Sequence, residues 1–593
     1  MHRRRSLGAE LVEGGVHFRV WAPAHREVAV VIDDRDHRLE PESGGFFSGL
    51  VSGACAGTLY RLRLDGDGTA YADPASRFQP QGPHGPSQVV DPATYRWRDA
   101  AWRGPSQNVI YELHVGTFTR EGTYAAAARR LPYLAELGID ILEVMPIHEF
   151  PGNFGWGYDG VDLWAPSHLY GEPDDLRRFV DEAHAHGIGV ILDVVYNHFG
   201  PDGCYLAQFS PTYFTRDYVN EWGDAVNFDG DGAEGVRELV AENAAYWIDE
   251  FHFDGLRLDA TQSIHDRSSR HILAEISERA RQAAGARMIF ICAENEPQDR
   301  RLLTEYGLDA MWNDDWHHAA RVALTGFREA YYTDYLGSAQ EFVSMAKHGF
   351  LYQGQHYSWQ KQRRGTPSIG IAPERMICCL ENHDQVANSA RGARLRDLAS
   401  PGTLRAMTAL LLLQPATPML FQGQECGARA PFLYFADHEP ALAKLVDEGR
   451  RGFLTQFPSL DGLPVAPPHE RATFDSCKLD ESDCDELLLT LHRDLLRLRR
   501  DHPFAKDFDG ATLTPQCLLL RAGERLLIVN LGADLHLRTA NEPLLAPPLG
   551  SQRWTILWSS EDPKYGGSGM SEPDGDDGWR IRGQAAVLLG GAR

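Results

Sequence analysis

The chain has 593 residues, more than one hydrophobic core normally holds, so we expect two or more domains. Hydrophobic residues make up 43% of it and the formal net charge is −25, which is typical of a globular protein and unsuited to a phosphate backbone. We therefore expect no nucleic-acid partner.

The sequence also argues against a membrane or export role. The longest apolar stretch, residues 407–421, is interrupted by Pro415 and Pro418 and is too short to span a bilayer as one helix. The basic start, residues 1–5, is followed by Glu10 before any apolar segment, so no signal peptide is expected. Nine cysteines without zinc-type spacing favour a reducing cytoplasm. We expect no metal and no cofactor.

The first part of the chain predicts a small β-sandwich. β-Forming residues alternate over 16–22 and 60–64 and cluster over 28–32, with glycine and aspartate turns between them. Residues 78–86 are rich in proline and glycine, which predicts a linker that is neither strand nor helix. We assign residues 1–95 to this N-terminal β-sandwich.

Residues 96–502 alternate between strand-like and helix-like segments, the pattern of repeated βαβ units. Helical patterns cover 124–137, 173–186, 235–251 and 487–500. The fold class is therefore α/β, a (β/α)₈ TIM barrel, and a small C-terminal β-domain is predicted over 503–593. The eight predicted strands are 109–114, 139–147, 189–197, 253–259, 288–294, 308–313, 376–384 and 418–425.

Three carboxylates follow predicted barrel strands: Asp259, Glu294 and Asp384. Polar groups at the carboxyl ends of barrel strands form the usual catalytic face of this fold. Glycosidic cleavage needs an acid for the leaving oxygen and a carboxylate on the other side of the sugar. The sequence therefore predicts glycoside chemistry at this face.

The surroundings of each carboxylate suggest its role. Arg257 lies two residues before Asp259, so both side chains point to one face and can pair, which suits a nucleophile. Glu294 follows an apolar run, and burial near other carboxylates should raise its pKa, which suits a proton donor. Asp384, next to His383, could stabilise an oxocarbenium-like transition state.

These segments resemble the four signature regions of the α-amylase family of retaining α-glucan enzymes. The resemblance implies that Asp259 is the nucleophile, Glu294 the acid/base and Asp384 the transition-state stabiliser. It likens the N-terminal sandwich to a carbohydrate-binding module. The substrate contacts that we expect around the reacting sugar are Tyr158, His198, Arg257, Gln262, His383, Gln385 and Asn388.

Segments 309–318, 421–425 and 431–438 are similar to one group within that family. This resemblance implies hydrolysis of the α-1,4 bond beside a terminal trehalose on a maltooligosaccharide, with release of trehalose. Related α-glucans are the other expected ligands. Four residues after the sixth strand should recognise the trehalose unit: Asp314, Asp315, His317 and His318.

Two alternatives stay open at this point. A branching enzyme, which is a transglycosylase, has the same barrel and the same catalytic motifs. A non-catalytic carbohydrate-binding protein could also keep the barrel, although the intact set of three carboxylates argues against it. Asp193 and Asn197 could ligate calcium, but we favour a structural role for both. The sequence does not indicate an oligomeric state.

Overall fold

The computed structural model describes residues 3–105, 109–504 and 507–591, so the first two residues of the basic start lie outside the described part. The N-terminal region forms two antiparallel sheets, as predicted, and the core cluster contains residues from both. Val16, Phe18 and Val20 alternate inward along one strand, which is the period-2 pattern of a half-buried sheet. In pairing order the sheets are Gly8–Val12, Gly15–Trp21, Phe46–Ser52 and Glu40–Pro41, and Arg35–Arg38, Val28–Ile32, Leu59–Leu64 and Ala70–Tyr71, with Ser87–Gln88 also on Leu59–Leu64.

Eight parallel strands close into a barrel, which confirms the predicted fold class. Each strand is shorter than its predicted segment, and the polar residues Asp259, Glu294 and Asp384 lie beyond the carboxyl ends of their strands. We label the barrel strands β1 (Ile110–Leu113), β2 (Ile141–Val144), β3 (Gly189–Val194), β4 (Gly255–Leu258), β5 (Phe290–Ala293), β6 (Ala310–Trp312), β7 (Met376–Cys379) and β8 (Thr417–Phe421).

Side chains fill the barrel in layers, since alternate residues of a strand point inward. The lower layer is apolar and includes Ile110, Ile141 and Ile191. Two residues further along each strand the first four strands carry ionisable side chains instead: Glu112, Glu143, Asp193 and Arg257. The barrel interior therefore changes from apolar to charged just below its carboxyl face.

Helices surround the barrel, and most begin and end near their predicted bounds. The predicted helix over 124–137 is two helices, because Pro132 sits in the first turn of the second one, where a missing N–H is tolerated. The α-helices are Val115–Phe118, Tyr124–Ala128, Leu131–Leu137, Pro173–Ala185, Leu206–Phe209, Ala233–Glu250, Ile272–Ala284, Arg301–Thr304, Asp314–Thr325, Ala339–His348, His383–Ala387, Leu395–Leu398, Pro401–Leu413, Pro440–Leu454, Arg471–Ser476 and Glu486–Asp501. None of these described helices is long and apolar enough to cross a membrane.

The C-terminal region is a β-domain, as predicted. It packs against helix Pro401–Leu413, where Arg405 donates to the Ser560 carbonyl at 3.0 Å and pairs with Glu561. In pairing order its sheets are Asp509–Thr514, Cys517–Ala522, Arg525–Asn530, Ala585–Gly591 and Trp554–Ser559, and Leu535–Leu537, Gly578–Ile581 and Asp574–Gly575.

The N-terminal sandwich is fixed to the barrel by close packing. Trp21 is 4% exposed and lies edge-on to Tyr213 at 5.0 Å between ring centroids. The same indole covers Gly235 so closely that a Cβ there would lie 2.1 Å from a Trp21 ring carbon. At the other end of the same helix, Ala233–Glu250, Arg4 pairs with Asp249 at 2.7 Å. Gly235 is thus required by the approach of the tryptophan ring.

We predict that Gly235→Ala destabilises the protein by about 1–3 kcal/mol, because the indole must move to admit a methyl group. Gly449→Ala is the matched control: it also lies within a helix, Pro440–Leu454, but a Cβ there meets nothing within 4 Å. The control should be neutral or stabilising by up to about 1 kcal/mol. Thermal unfolding of both variants checks this. Equal melting temperatures of the two variants would show that the packing of Trp21 does not require a glycine at position 235.

Candidate active site

The candidate site lies at the carboxyl ends of β3, β4, β5 and β7. Asp193 belongs to β3 and Arg257 to β4, while Asp259 and Glu294 follow the ends of β4 and β5. Asp384 lies in the first turn of helix His383–Ala387, which Asn382 caps through its side chain. The structure thus brings the three sequence-predicted carboxylates to one face of the barrel.

A buried guanidinium joins the carboxylates. Nη1 of Arg257 donates to both oxygens of Asp193, at 3.0 and 2.9 Å, and to Oδ1 of Asp259 at 2.7 Å. Nη2 donates to Oε2 of Glu294 at 2.8 Å. The guanidinium lies over the Trp312 ring, 4.3 Å from its centroid, and the Arg257 side chain is not exposed at all. One cation therefore holds three carboxylates in fixed relative positions.

The backbone around Asp259 adds further restraints. Asn197 donates from its amide to Oδ2 of Asp259 at 2.8 Å and to the Asp259 carbonyl at 3.0 Å. The next residue, Ala260, has a φ of 38°, a left-handed conformation that is strained for alanine. In this conformation its N–H donates to Oε2 of Glu294 at 3.2 Å. The turn after β4 thus orients the carboxylate that follows β5.

The three candidate carboxylates differ in exposure. The side chains of Asp259, Glu294 and Asp384 are 11%, 21% and 38% exposed, whereas that of Asp193 is 1% exposed. The first three can therefore reach a ligand in the cleft. Asp193 serves as a fixed partner of Arg257, in line with the structural role expected for it.

The electrostatic surroundings of Glu294 suit a proton donor. Burial, helped by the negative charges of Asp259, Asp384 and Asp314, raises the pKa of Glu294 to about 8 against the opposing effect of Arg257. Glu294 is therefore mainly protonated at neutral pH and can donate a proton. Burial likewise raises the pKa of Asp314 to about 7.

Asp384 has the opposite character. Burial alone would raise its pKa, but the charge and hydrogen bond of His383 outweigh burial and lower it below the ordinary value. The same pairing, with Glu112 on the other side of the ring, raises the pKa of His383 far above its usual range in spite of burial. Asp384 is therefore ionised and His383 protonated at neutral pH.

Two aromatic groups frame the catalytic face. Tyr158 donates its hydroxyl proton to Asp193 at 2.7 Å and stacks on His383 with ring centroids 5.2 Å apart. His198 contacts the side chain of Asn197 and stacks on Trp222 at 5.0 Å. Both Tyr158 and His198 thus lie beside the groups that hold Asp259.

The expected contacts Gln385 and Asn388 lie in a polar network that we call the tyrosine wall: Tyr331, Tyr332, Gln385, Asn388 and Arg450. The two tyrosine hydroxyls donate to Oε1 of Gln385 at 3.0 and 2.7 Å, and Asn388 bridges Tyr331 and Arg450 at 3.0 and 3.1 Å. Sequence reasoning missed the tyrosines and the arginine, which lie outside the motifs. The remaining expected contact, Gln262, accepts from the Glu296 N–H at 3.4 Å.

The loop after β6 requires a correction. Asp315 was expected to contact substrate, but it is fully buried and accepts from the Leu351 and Tyr352 N–H groups at 2.9 Å each and from the Tyr335 hydroxyl at 2.6 Å. Both of its oxygens are used inside the protein, so Asp315 positions this loop.

The two histidines of the same helix are also internal. His317 and His318 are 3% and 4% exposed, and burial lowers the pKa of His317 to about 3. Their rings lie against each other and against Tyr332. Of the four residues expected to recognise trehalose, Asp314 alone is partly exposed, because the helix turns its other polar side chains into the protein.

Comparisons with known proteins point to one enzyme family. A family model described as the α-amylase catalytic domain matches residues 103–225, and a domain of unknown function matches residues 503–577. The malto-oligosyltrehalose trehalohydrolase of Deinococcus radiodurans is 41% identical over 90% of each chain. The chain belongs to the malto-oligosyltrehalose trehalohydrolase group of the α-amylase family. This confirms the resemblance that the motifs of the chain suggest. The members of this group are glycoside hydrolases.

Further relatives support the same assignment. The Saccharolobus solfataricus malto-oligosyltrehalose trehalohydrolase is 38% identical, over 84% of this chain and 88% of its own. A crystal structure described as a putative α-amylase from Salmonella typhimurium superposes with a TM-score of 0.87 at 35% identity, covering 99% of this chain and all of that one. A 1,4-α-glucan branching enzyme of Rhodococcus jostii is 32% identical but covers 72% of this chain and 62% of its own.

We predict that Arg257→Met destabilises the protein by about 3–5 kcal/mol at pH 8, because it leaves Asp193, Asp259 and Glu294 buried without their cation. The loss should shrink as the pH falls to 5, since the carboxylates then bind protons in the folded state and become neutral. Arg216→Met is the control, because it removes an ion pair whose arginine side chain is 86% exposed. It should change the free energy of unfolding little at either pH. Urea unfolding at both pH values is the measurement. A pH-independent loss would contradict the charge argument.

Proposed function

We propose that this chain is a retaining hydrolase that cleaves the α-1,4 bond between a maltooligosaccharide and its terminal trehalose, and so releases trehalose. The observation that carries the proposal is the bridge from Arg257 to Asp259 and Glu294, which fixes two partly exposed carboxyl groups on one cation. The names of the relatives supply the substrate.

In the first step, Asp259 attacks the anomeric carbon while Glu294 gives its proton to the leaving glycosidic oxygen. The raised pKa of Glu294, about 8, keeps that proton available at neutral pH. In the second step, the now ionised Glu294 takes a proton from water, which attacks the glycosyl-enzyme. Two displacements at one carbon retain the α configuration.

Asp384 and its partners act on the charge that develops on the sugar. An ionised carboxylate beside the reacting ring stabilises an oxocarbenium-like transition state. His383 holds the Asp384 carboxylate at 3.2 Å, and Tyr158 and His198 supply flat faces that a sugar ring can pack against. Gln262 lies beside Glu296 on the same side of the barrel mouth.

The tyrosine wall is the group that we propose to select the trehalose unit. Its donors and acceptors already pair with one another, so a ligand that displaces one of them must replace its hydrogen bond. The α,α-1,1 linkage bends the reducing end, and a plain maltose unit cannot match a wall built for that shape. Asp314 faces the same cleft, while Asp315, His317 and His318 support the loop from within.

We also place the enzyme in a reducing cytoplasm. All nine cysteines are free, five of them buried in the folded chain, so neither the fold nor the chemistry that we propose uses a disulfide. The proposed mechanism likewise uses no metal ion, and the described residues contain no group of three or more candidate ligand side chains.

The substrate assignment is tested by incubating the protein with maltopentaosyl trehalose and, separately, with a maltooligosaccharide of equal length. We expect trehalose from the capped substrate and a kcat/KM at least about 10²-fold higher than for the uncapped one. Proton NMR at early times should show the α anomer of the new reducing end. Tyr332→Phe should lower this preference, whereas Tyr95→Phe, far from the cleft, should not.

The branching-enzyme alternative makes a different prediction for the same assay. A transferase would introduce α-1,6 branches into amylose and would release no trehalose from the capped substrate. That result would overturn the proposal. Equal kcat/KM for capped and uncapped oligomers would instead keep the hydrolase but refute the role of the wall.

The role of Glu294 has its own test. Glu294→Gln should lower kcat by roughly 10²–10⁴, because the amide binds like the acid but gives no proton. Activity of the unmodified protein should fall as the pH rises above about 8, where Glu294 loses its proton, and this alkaline limb should be absent from the residual activity of the variant. A variant that kept the limb would show that another group is the acid.

A further inference from the structure

Glu112 is a buried carboxylate that the proposed mechanism does not use. It lies on β1, is 1% exposed, and both of its oxygens contact the same residue. Oε2 accepts from the His383 backbone N–H at 3.1 Å, and Oε1 contacts Nδ1 of the His383 ring. Because β8 lies between β1 and β7 in the barrel, this pair crosses the barrel mouth.

The other side of the His383 ring faces the candidate catalytic groups. Nε2 lies 2.9 Å from the Tyr158 hydroxyl oxygen and 3.2 Å from Oδ2 of Asp384. Tyr158 has one hydroxyl proton, and Asp193, at 2.7 Å, is the acceptor that takes it. Nε2 must therefore carry the proton toward Tyr158 and Asp384. Nδ1 faces a carboxylate, so it carries a proton as well.

This arrangement makes His383 an imidazolium held between two carboxylates. The titratable groups that face it are Glu112, Glu143, Tyr158, Asp193, His114 and its neighbour Asp384, while Arg257 and Arg450 face Asp384. Burial and the nearby Glu112 raise the pKa of Glu143 well above its ordinary value, so Glu143 is neutral. Glu112, whose two oxygens both contact His383, is thus the partner of this ring on the barrel side.

We propose that Glu112 is a positioning residue for the reaction: it holds His383 doubly protonated and fixed, and His383 in turn holds Asp384 as an oriented carboxylate beside the sugar. The inference rests on the proposed function, since it assigns Asp384 to the transition state. Glu112 touches no substrate, and its effect passes through one histidine ring.

Glu112→Gln tests this, because the amide keeps the shape and removes the charge. We expect kcat to fall about 10- to 100-fold, the range for one charge-assisted hydrogen bond, with little change in KM. The acid limb of the pH profile of kcat should move to higher pH, since Asp384 loses the cation that keeps it ionised. Glu143→Gln, in the same layer of the barrel but already neutral, is the matched control and should leave the limb in place.

A double-mutant cycle separates this role from a structural one. If Glu112 acts through His383, then Glu112→Gln should cost little more in kcat when His383→Gln is already present. Additive losses, or an acid limb that does not move, would overturn the proposal, because both would mean that Glu112 matters only for packing.

A measurement on the unmodified protein covers the case in which Glu112→Gln does not fold. ¹⁵N-histidine labelling should show one ring, absent in His383→Gln, with both nitrogens protonated at pH 8. A neutral His383 ring at pH 7 would refute the proposal. This readout needs no substrate, so it stands even if the protein fails to cleave a trehalose-capped oligosaccharide, a result that would refute the proposed function alone.

Discussion

Burying one guanidinium with its charge compensated is the constraint on which this site depends. An arginine removed from water is costly unless its charge is compensated, and both terminal nitrogens of Arg257 donate to carboxyl groups, those of Asp193, Asp259 and Glu294. The two catalytic candidates are consequently placed by a shared partner, in addition to the turns that carry them. Burial and the neighbouring carboxylates nevertheless raise the pKa of Glu294 to about 8 against this cation, so Glu294 keeps a proton to donate.

The pleat of the barrel strands places Arg257 and its carboxyl partners on the same side of the sheet. Arg257 points inward in the layer of Glu112, Glu143 and Asp193, and Asp259, two residues on, points to the same side above it. A charged layer inside a barrel needs internal partners, and it finds them in Arg257 and His383. The catalytic face therefore rests on a second tier of paired groups, through which Asp259, Glu294 and Asp384 are each tied to a strand.

The barrel and the three carboxylates could be predicted because their signals are local. Apolar runs that end in Asp259, Glu294 and Asp384 identify strand ends without any knowledge of the fold. The supporting contacts could not be predicted, because they join distant segments: Glu112 and His383 are 271 residues apart. The burial of Asp315 could not be predicted for the same reason, because the N–H groups that bind its carboxylate belong to a loop that reaches it only in the folded protein. The position of a side chain after a strand predicts its face, but not whether a loop will cover it.

The most direct test of the account is the identification of the residue that becomes covalently bound to sugar. An α-glucosyl fluoride with a second fluorine at C5 should accumulate as a glycosyl-enzyme, and digestion with mass spectrometry should locate the label. The account predicts one glucosyl group per chain, on the peptide that contains Asp259, and none on Asp259→Asn. A label on Glu294 or Asp384 would contradict the assignment of the two carboxyl groups that Arg257 joins. Turnover of the fluoride without any detectable glycosyl-enzyme would contradict it as well.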